Sequence, residues 1–299
     1  MKPRDVAELL LLAAIWGASF LFMRLAVAAF GPVVLADVRV TVAGLLLLPV
    51  AWAGGHVPAM RRHWRPLLIA GVASSALPFV AFSYAALQLG AGIMSVLNAT
   101  TPLFAALIGW RFLGERLDGW RVAGLLIGLA GVALLVADKL RVGGPPLALA
   151  ACLGATACYA GVSAYVQQQL AQVPPLGIAA GTQLGAATAL LAPAVALWPA
   201  QPPGPLPWLA ALGLAALCSA LAYVLYFRLL QRVGSSRATA VTFLIPAFGI
   251  LWGAVFLQER LTPAMLAAGA VIVLGTMLAT GYWRPLRAPK RLEGASDRS

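Results

Sequence analysis

The sequence predicts an all-α integral membrane protein, with ten transmembrane helices arranged as two inverted five-helix repeats around a central cavity. Three observations predict it. The chain of 299 residues is 62% hydrophobic and only 10% charged, far from the roughly 25% charged residues of soluble domains. Apolar runs, each near the ~20 residues a helix needs to cross about 30 Å of hydrocarbon, recur along its whole length. And the stretch Phe112-Leu113-Gly114-Glu115-Arg116-Leu117 returns 144 residues later as Phe256-Leu257-Gln258-Glu259-Arg260-Leu261.

Held at that offset, residues 74–117 repeat with 14 identities in 44 positions. The Ala- and Leu-rich composition alone gives roughly four. The apolar runs fall at about 6–29, 33–53, 66–86, 93–112, 120–137, 147–167, 177–197, 207–229, 238–257 and 263–283. The first repeat then covers 1–140 and the second 146–284, with 285–299 as a basic, Pro-interrupted tail expected to be disordered on the cytoplasmic side. Five helices per repeat is an odd number, so the second copy enters the membrane from the opposite face. Inverted repeats are a recurring construction of secondary transporters; the alternative is a duplication that built an inert bundle.

A net charge of +12 would suggest nucleic acid in a soluble protein, but here it reports orientation. With the N-terminus inside, 16 of the 21 Lys and Arg residues fall on the cytoplasmic side, which predicts that both termini are cytoplasmic. The first run is too long for a secretory signal and carries Arg24 near its far end, so it reads as a retained helix. Cys152, Cys158 and Cys218 lie inside spans and form no CxxC, as packing residues do.

Taken in order, the first helix carries Trp16-Gly17-Ala18-Ser19. Trp16 lies mid-span, whereas Trp52, Trp64, Trp110, Trp120, Trp198, Trp208 and Trp283 fall at span ends where indoles settle. Gly161 and Ser163 match Gly17 and Ser19 at the offset, with Tyr159 one position from the match of Trp16. Trp16 is either a packed side chain or a cavity wall. The second helix holds Asp37 and Arg39. Paired with each other or with Arg24, they read as a neutralised structural pair or an outer gate, and Asp37 is the one acid placed within a span. The third helix presents Ser75, Phe79 and Phe82 on one face, matched in the eighth by Ser219, Tyr223 and Tyr226. This pattern is either core packing or an aromatic cavity lining. The fourth and ninth helices carry Pro102 and Pro246 in their interiors, each freeing the carbonyl four residues before it, on Asn98 and Thr242. They are candidate hinges or ordinary repaired kinks. Asp118 and Thr262 are N-caps for the helices that follow, with Glu115 and Glu259 near those positive ends. Gly124, Gly128 and Gly131 offer close helix contact, within one chain or between chains.

In these features, taken in their order and duplication, the chain resembles the drug/metabolite transporter superfamily, specifically its EamA-type members. The resemblance covers essentially the whole chain. It implies ten helices, with the first, third, fourth, sixth, eighth and ninth around a cavity lined here by Trp16, Phe79, Phe82, Asn98, Tyr159, Tyr223, Tyr226 and Thr242. It also implies a place in the bacterial inner membrane. The expected function is export of small neutral or zwitterionic metabolites by alternating access, amino acids with aromatic or large apolar side chains first. Lipophilic drugs or amines are the runner-up. The expected partners are a small-molecule substrate and the lipid bilayer, with no nucleic acid and with a monomer compatible with the sequence. No cofactor or metal is expected. An intramembrane enzyme is disfavoured: His56 and His63 sit in a loop, no HExxH or nucleophile–base pair occurs, and none of the three lysines follows a glycine as a Walker loop requires. Few buried acids favour facilitated diffusion over proton antiport.

Overall fold

The computed structural model describes residues 2–112, 114, 117–141 and 143–281. Every regular element among them is a helix. Eight are long and apolar enough to cross a bilayer: α1 (Pro3–Phe30), α2 (Pro32–Ala53), α3 (Trp64–Ala86), α4 (Ala91–Phe112), α5 (Gly119–Arg141), α6 (Pro146–Gln169), α7 (Pro175–Ala196) and α8 (Pro205–Val233). Two shorter apolar helices follow, α9 (Val241–Leu257) and α10 (Pro263–Ala279). At 17 residues each, these last two rise about 26 Å. α9 is shorter than expected because Ser235–Ala238 winds as a separate turn. Leu113, Glu115, Arg116 and the tail 285–299 lie outside the described residues.

Local chemistry sets the helix ends. Pro3, Pro32, Pro146, Pro175, Pro205 and Pro263 open six of the ten helices, where the fixed φ suits the first turn and the missing N–H costs nothing. Gly31 (φ +75°) and Gly234 (φ +83°) close α1 and α8 in a conformation that strains a side-chain-bearing residue. Both expected N-caps form: Asp118 accepts from the Arg121 N–H at 3.0 Å and Thr262 from the Met265 N–H at 3.2 Å.

Leu45, Leu46, Leu126, Leu134, Val195, Leu209 and Val255 are exposed, which is the outer surface that hydrocarbon solvates. Inside, small residues let helices touch. A Cβ added at Gly124 would lie 2.3 Å from the Ala279 nitrogen, and one at Gly275 would lie 2.3 Å from the Gly128 nitrogen. The glycine contact is therefore internal, between α5 and α10. Gly17 of α1 presses on α9, where its Cβ would stand 2.7 Å from the Cβ of Phe248. Gly161 of α6, its counterpart 144 residues on, has only Ile108 Cδ1, at 3.9 Å.

Irregular turns interrupt two helices. α3 contains a π-helical segment at Val72–Ala76 and α8 contains one at Ala216–Leu221; 72 plus 144 is 216. The two candidate hinges differ in local geometry. α4 is broken between its segments Ala91–Asn98 and Thr101–Phe112, and the Asn98 carbonyl accepts from the Thr101 hydroxyl at 2.8 Å. Pro246 lies inside an unbroken α9.

The placement of acids is also corrected. α1 starts at Pro3, so Asp5 and Glu8 are within it, both buried. Arg232 of α8 pairs with Glu8 and with Asp5 (3.7 Å), and Arg228 lies 3.4 Å from Glu8. Asp37 is thus not the one acid inside a span. Glu259 caps a different helix from the one expected. Its oxygens accept the Ala91 N–H at 2.7 Å and the Gly92 N–H at 3.1 Å, at the start of α4 and not of α10.

Candidate functional site

A cavity of about 260 Å³ lies where seven of the first nine helices converge. α1 contributes Trp16, Ser19, Phe20 and Met23, α2 Arg39, α3 Phe79 and Phe82, and α4 Asn98, Thr101 and Pro102. α6 contributes Tyr159, α8 Cys218 and Tyr223, and α9 Thr242 and Ile245. Seven of the eight residues singled out in the sequence are therefore brought together. Tyr226 is not in the lining; it rests against Trp16 with ring centroids 5.3 Å apart. Of the two prolines, Pro102 lines the cavity and Pro246 does not.

The walls are mostly aromatic. Phe82 stacks on Tyr159 (6.3 Å between centroids, 21° between planes) and meets Phe20 edge-on at 5.6 Å. Most of the small hydroxyls are occupied: Ser19 donates to the Trp16 carbonyl, Thr101 to that of Asn98 and Thr242 to that of Thr239. Such donation back to the preceding turn is how a helix satisfies an isolated hydroxyl without water. The Asn98 side-chain amide makes no hydrogen bond among the described residues, so it is free for a solute.

Arg39 does not do what the sequence suggested. It is 7% exposed, its Nε donates to Ser219 Oγ at 2.9 Å, and its guanidinium carbon stands 3.6 Å from the Phe79 ring centroid. Among the described residues it forms no ion pair with Asp37, whose Oδ1 accepts from Thr41 at 3.4 Å. Arg24 is likewise elsewhere, donating to the Ala86 carbonyl at 2.7 Å, at the end of α3. Residues two apart on a helix face different ways, which undoes the expected Asp37–Arg39 pair.

The repeat offset exposes a relation that residue-by-residue reading missed. Arg39 plus 144 is Gln183, and Ser219 less 144 is Ser75. Gln183 Nε2 donates to Ser75 Oγ at 2.9 Å, the same distance as Arg39 to Ser219. Each contact joins the second helix of one half to the π-helical segment of the other. Trp252, left out of the sequence reading, is a second mid-helix indole; its Nε1 donates to the Ala14 carbonyl at 2.9 Å and ties α9 to α1. A larger groove of about 600 Å³ between α2, α3 and α7 is lined by leucines, Val57 and Met60 with Arg61 and Trp64. It brings together none of the residues singled out in the sequence. Among the described residues no group of His, Cys, Asp and Glu could hold a metal.

Stacked apolar helices with an aromatic and partly polar hollow among them define a multi-pass membrane protein of the transporter class. The chain belongs to the EamA-like transporter family, whose sequence profile matches residues 6–137 and again 146–281. It is 28% identical over 297 residues to the inner membrane transporter YedA of Escherichia coli (strain K12), covering 95% of this chain and 94% of that one. It is 27% identical to a probable terminal-alkyne amino-acid exporter of Streptantibioticus cattleyicolor, covering 92% and 93%. A solved crystal structure with 22% sequence identity superposes with a TM-score of 0.63 over 94% of this chain and 98% of its own, a likeness of fold.

Proposed function

We propose that this chain is a secondary transporter that exports small metabolites, amino acids with aromatic or large apolar side chains first, by alternating access. In this reading residues 1–140 and 146–284 form two inverted five-helix repeats that cross the bacterial inner membrane ten times, with both termini in the cytoplasm. The observation that carries it is the 260 Å³ cavity, which holds Trp16, Phe79, Phe82, Asn98, Tyr159, Tyr223 and Thr242 between helices of both halves. Its volume lies at the small end of the range for small-molecule sites, which suits a small solute. The mirrored Arg39–Ser219 and Gln183–Ser75 contacts, the two π-helical segments at one offset and the doubled family match support the inverted arrangement. Pro102, beside the break in α4, is the hinge this reading uses; the continuous α9 gives Pro246 a lesser part.

The test is counterflow in proteoliposomes of purified protein, with each amino acid in turn on one side. Uptake of labelled phenylalanine or leucine driven by unlabelled solute inside is the expected result. Indifference to every amino acid removes the reading. Imposing a pH gradient separates proton coupling from the facilitated diffusion that the acid-free lining favours.

A further inference from the structure

We propose that Arg39 is the receptor for a carboxylate on the transported solute, and that the solute's amino group contributes no binding. The proposal rests on reading the 260 Å³ cavity as the solute site. An ionised side chain among apolar helices is costly and is retained where it serves a function or is paired. Arg39 is 7% exposed and, among the described residues, has no carboxylate partner. Its seating uses only part of the guanidinium: Nε reaches Ser219 Oγ at 2.9 Å and the plane lies on Phe79, while neither terminal nitrogen has a hydrogen bond among the described residues. Those two nitrogens are the fork that binds a carboxylate through parallel hydrogen bonds. Held by ring and hydroxyl, the fork is oriented before any solute arrives.

The internal repeat supplies the control. Gln183 makes the mirrored contact to Ser75 at 2.9 Å and is fully buried. A neutral amide therefore suffices for the helix-to-helix contact, and the positive charge at residue 39 is not needed to hold α2 against α8. The charge is surplus to the fold. No Asp or Glu lines the cavity, so a substrate ammonium meets a neighbouring cation and at most neutral acceptors such as the Asn98 amide oxygen. Charge bookkeeping thus favours a monocarboxylate, tolerates a zwitterion and disfavours a lipophilic amine.

The experiment measures binding to the purified full chain in detergent by calorimetry. The probes are L-phenylalanine, its deaminated analogue 3-phenylpropionate, its decarboxylated analogue phenethylamine, and a series of monocarboxylates down to acetate. Wild-type protein is expected to bind 3-phenylpropionate at least as tightly as phenylalanine, and phenethylamine about 30-fold more weakly or worse. Arg39→Gln, which can make the contact that Gln183 makes, is expected to keep the wild-type melting temperature and lose about 30-fold in affinity for both carboxylates. Arg39→Lys, keeping the charge without the fork, is expected to fall between them. Binding of 3-phenylpropionate without phenylalanine would leave Arg39 in its role while ending the amino-acid reading. Equal affinities in wild type and Arg39→Gln overturn the proposal. So does phenethylamine binding as tightly as 3-phenylpropionate, or failure of every monocarboxylate to bind the wild type. The wild-type comparison of acid with amine decides by itself if Arg39→Gln does not fold.

Discussion

Adding one methyl group to Gly161 distinguishes a molecule that exchanges two arrangements from one that holds a single arrangement. In the present arrangement a Cβ at Gly17 would stand 2.7 Å from the Cβ of Phe248 and 2.9 Å from the Gly249 nitrogen, whereas at Gly161 the nearest atom is Ile108 Cδ1, at 3.9 Å. α1 is thus packed tightly on α9 at Gly17, whereas α6, which meets α4 through the Thr100–Thr156 hydrogen bond at 3.2 Å, leaves room beside Gly161. If the halves trade roles, Gly161 comes to lie against residues 104 and 105 as Gly17 now lies against 248 and 249. Alanine at 161 then burdens the exchanged arrangement alone, with about 1–3 kcal/mol of overpacking, a shift of roughly 5–150-fold in its population. The present arrangement is untouched, and the better helix propensity of alanine leaves it as stable or up to about 1 kcal/mol more so. Counterflow in proteoliposomes is expected to slow by that factor while the melting temperature holds or rises. Gly17→Ala is expected to lower the melting temperature. Wild-type transport by Gly161→Ala would refute the exchange of the two halves.

Three further outcomes follow from contacts that cross between helices. Glu259→Gln keeps the shape but removes the charge from the acceptor of the Ala91 and Gly92 N–H groups; a loss of about 1–2 kcal/mol in denaturant-induced unfolding is expected. Gly275→Val places atoms where Gly128 backbone already lies, 2.3 Å from the Cβ position. It is expected to cost about 1–3 kcal/mol or more with no change in oligomeric state by light scattering, because the contact is internal. Arg232→Ala strips from Glu8, whose side chain is 8% exposed, the closer and less exposed of its two arginine partners. An expected loss of about 1–3 kcal/mol contrasts with about 0–1 kcal/mol for Arg228→Ala, whose side chain is 52% exposed; thermal unfolding of the two variants compares them.

Much of the architecture was legible because hydrocarbon leaves backbone few choices. Each apolar run became a helix, and prolines opened six of them. The cavity was legible through symmetry: Phe79 and Tyr223 occupy matching places in the repeat and both face the hollow. What the sequence concealed depended on partners far along the chain. Glu259 reads as a local turn residue until α4 arrives 168 residues away. Arg39 has an acid two positions before it, and adjacency in sequence suggested a pair that helical geometry forbids. The equivalence of Pro102 and Pro246 also failed, because a proline breaks a helix only where neighbouring turns yield, and in the second half the chain yields earlier, between Ala238 and Val241.

The π-helical turns at Val72–Ala76 and Ala216–Leu221 make the winding of α3 and α8 a matter of residue count. Each residue advances a helix by about 100°, and a π turn carries one residue more than a regular one. Rewinding either segment as regular α-helix with its residues all kept would swing Phe79 and Phe82, or Tyr223, about a quarter turn out of register with the hollow, whereas deleting the one extra residue would let a regular turn hold the same register. A related chain lacking the extra residue can therefore present the same rings from an unbroken helix, and one that keeps the residue but winds it regularly must build its interior from a different set.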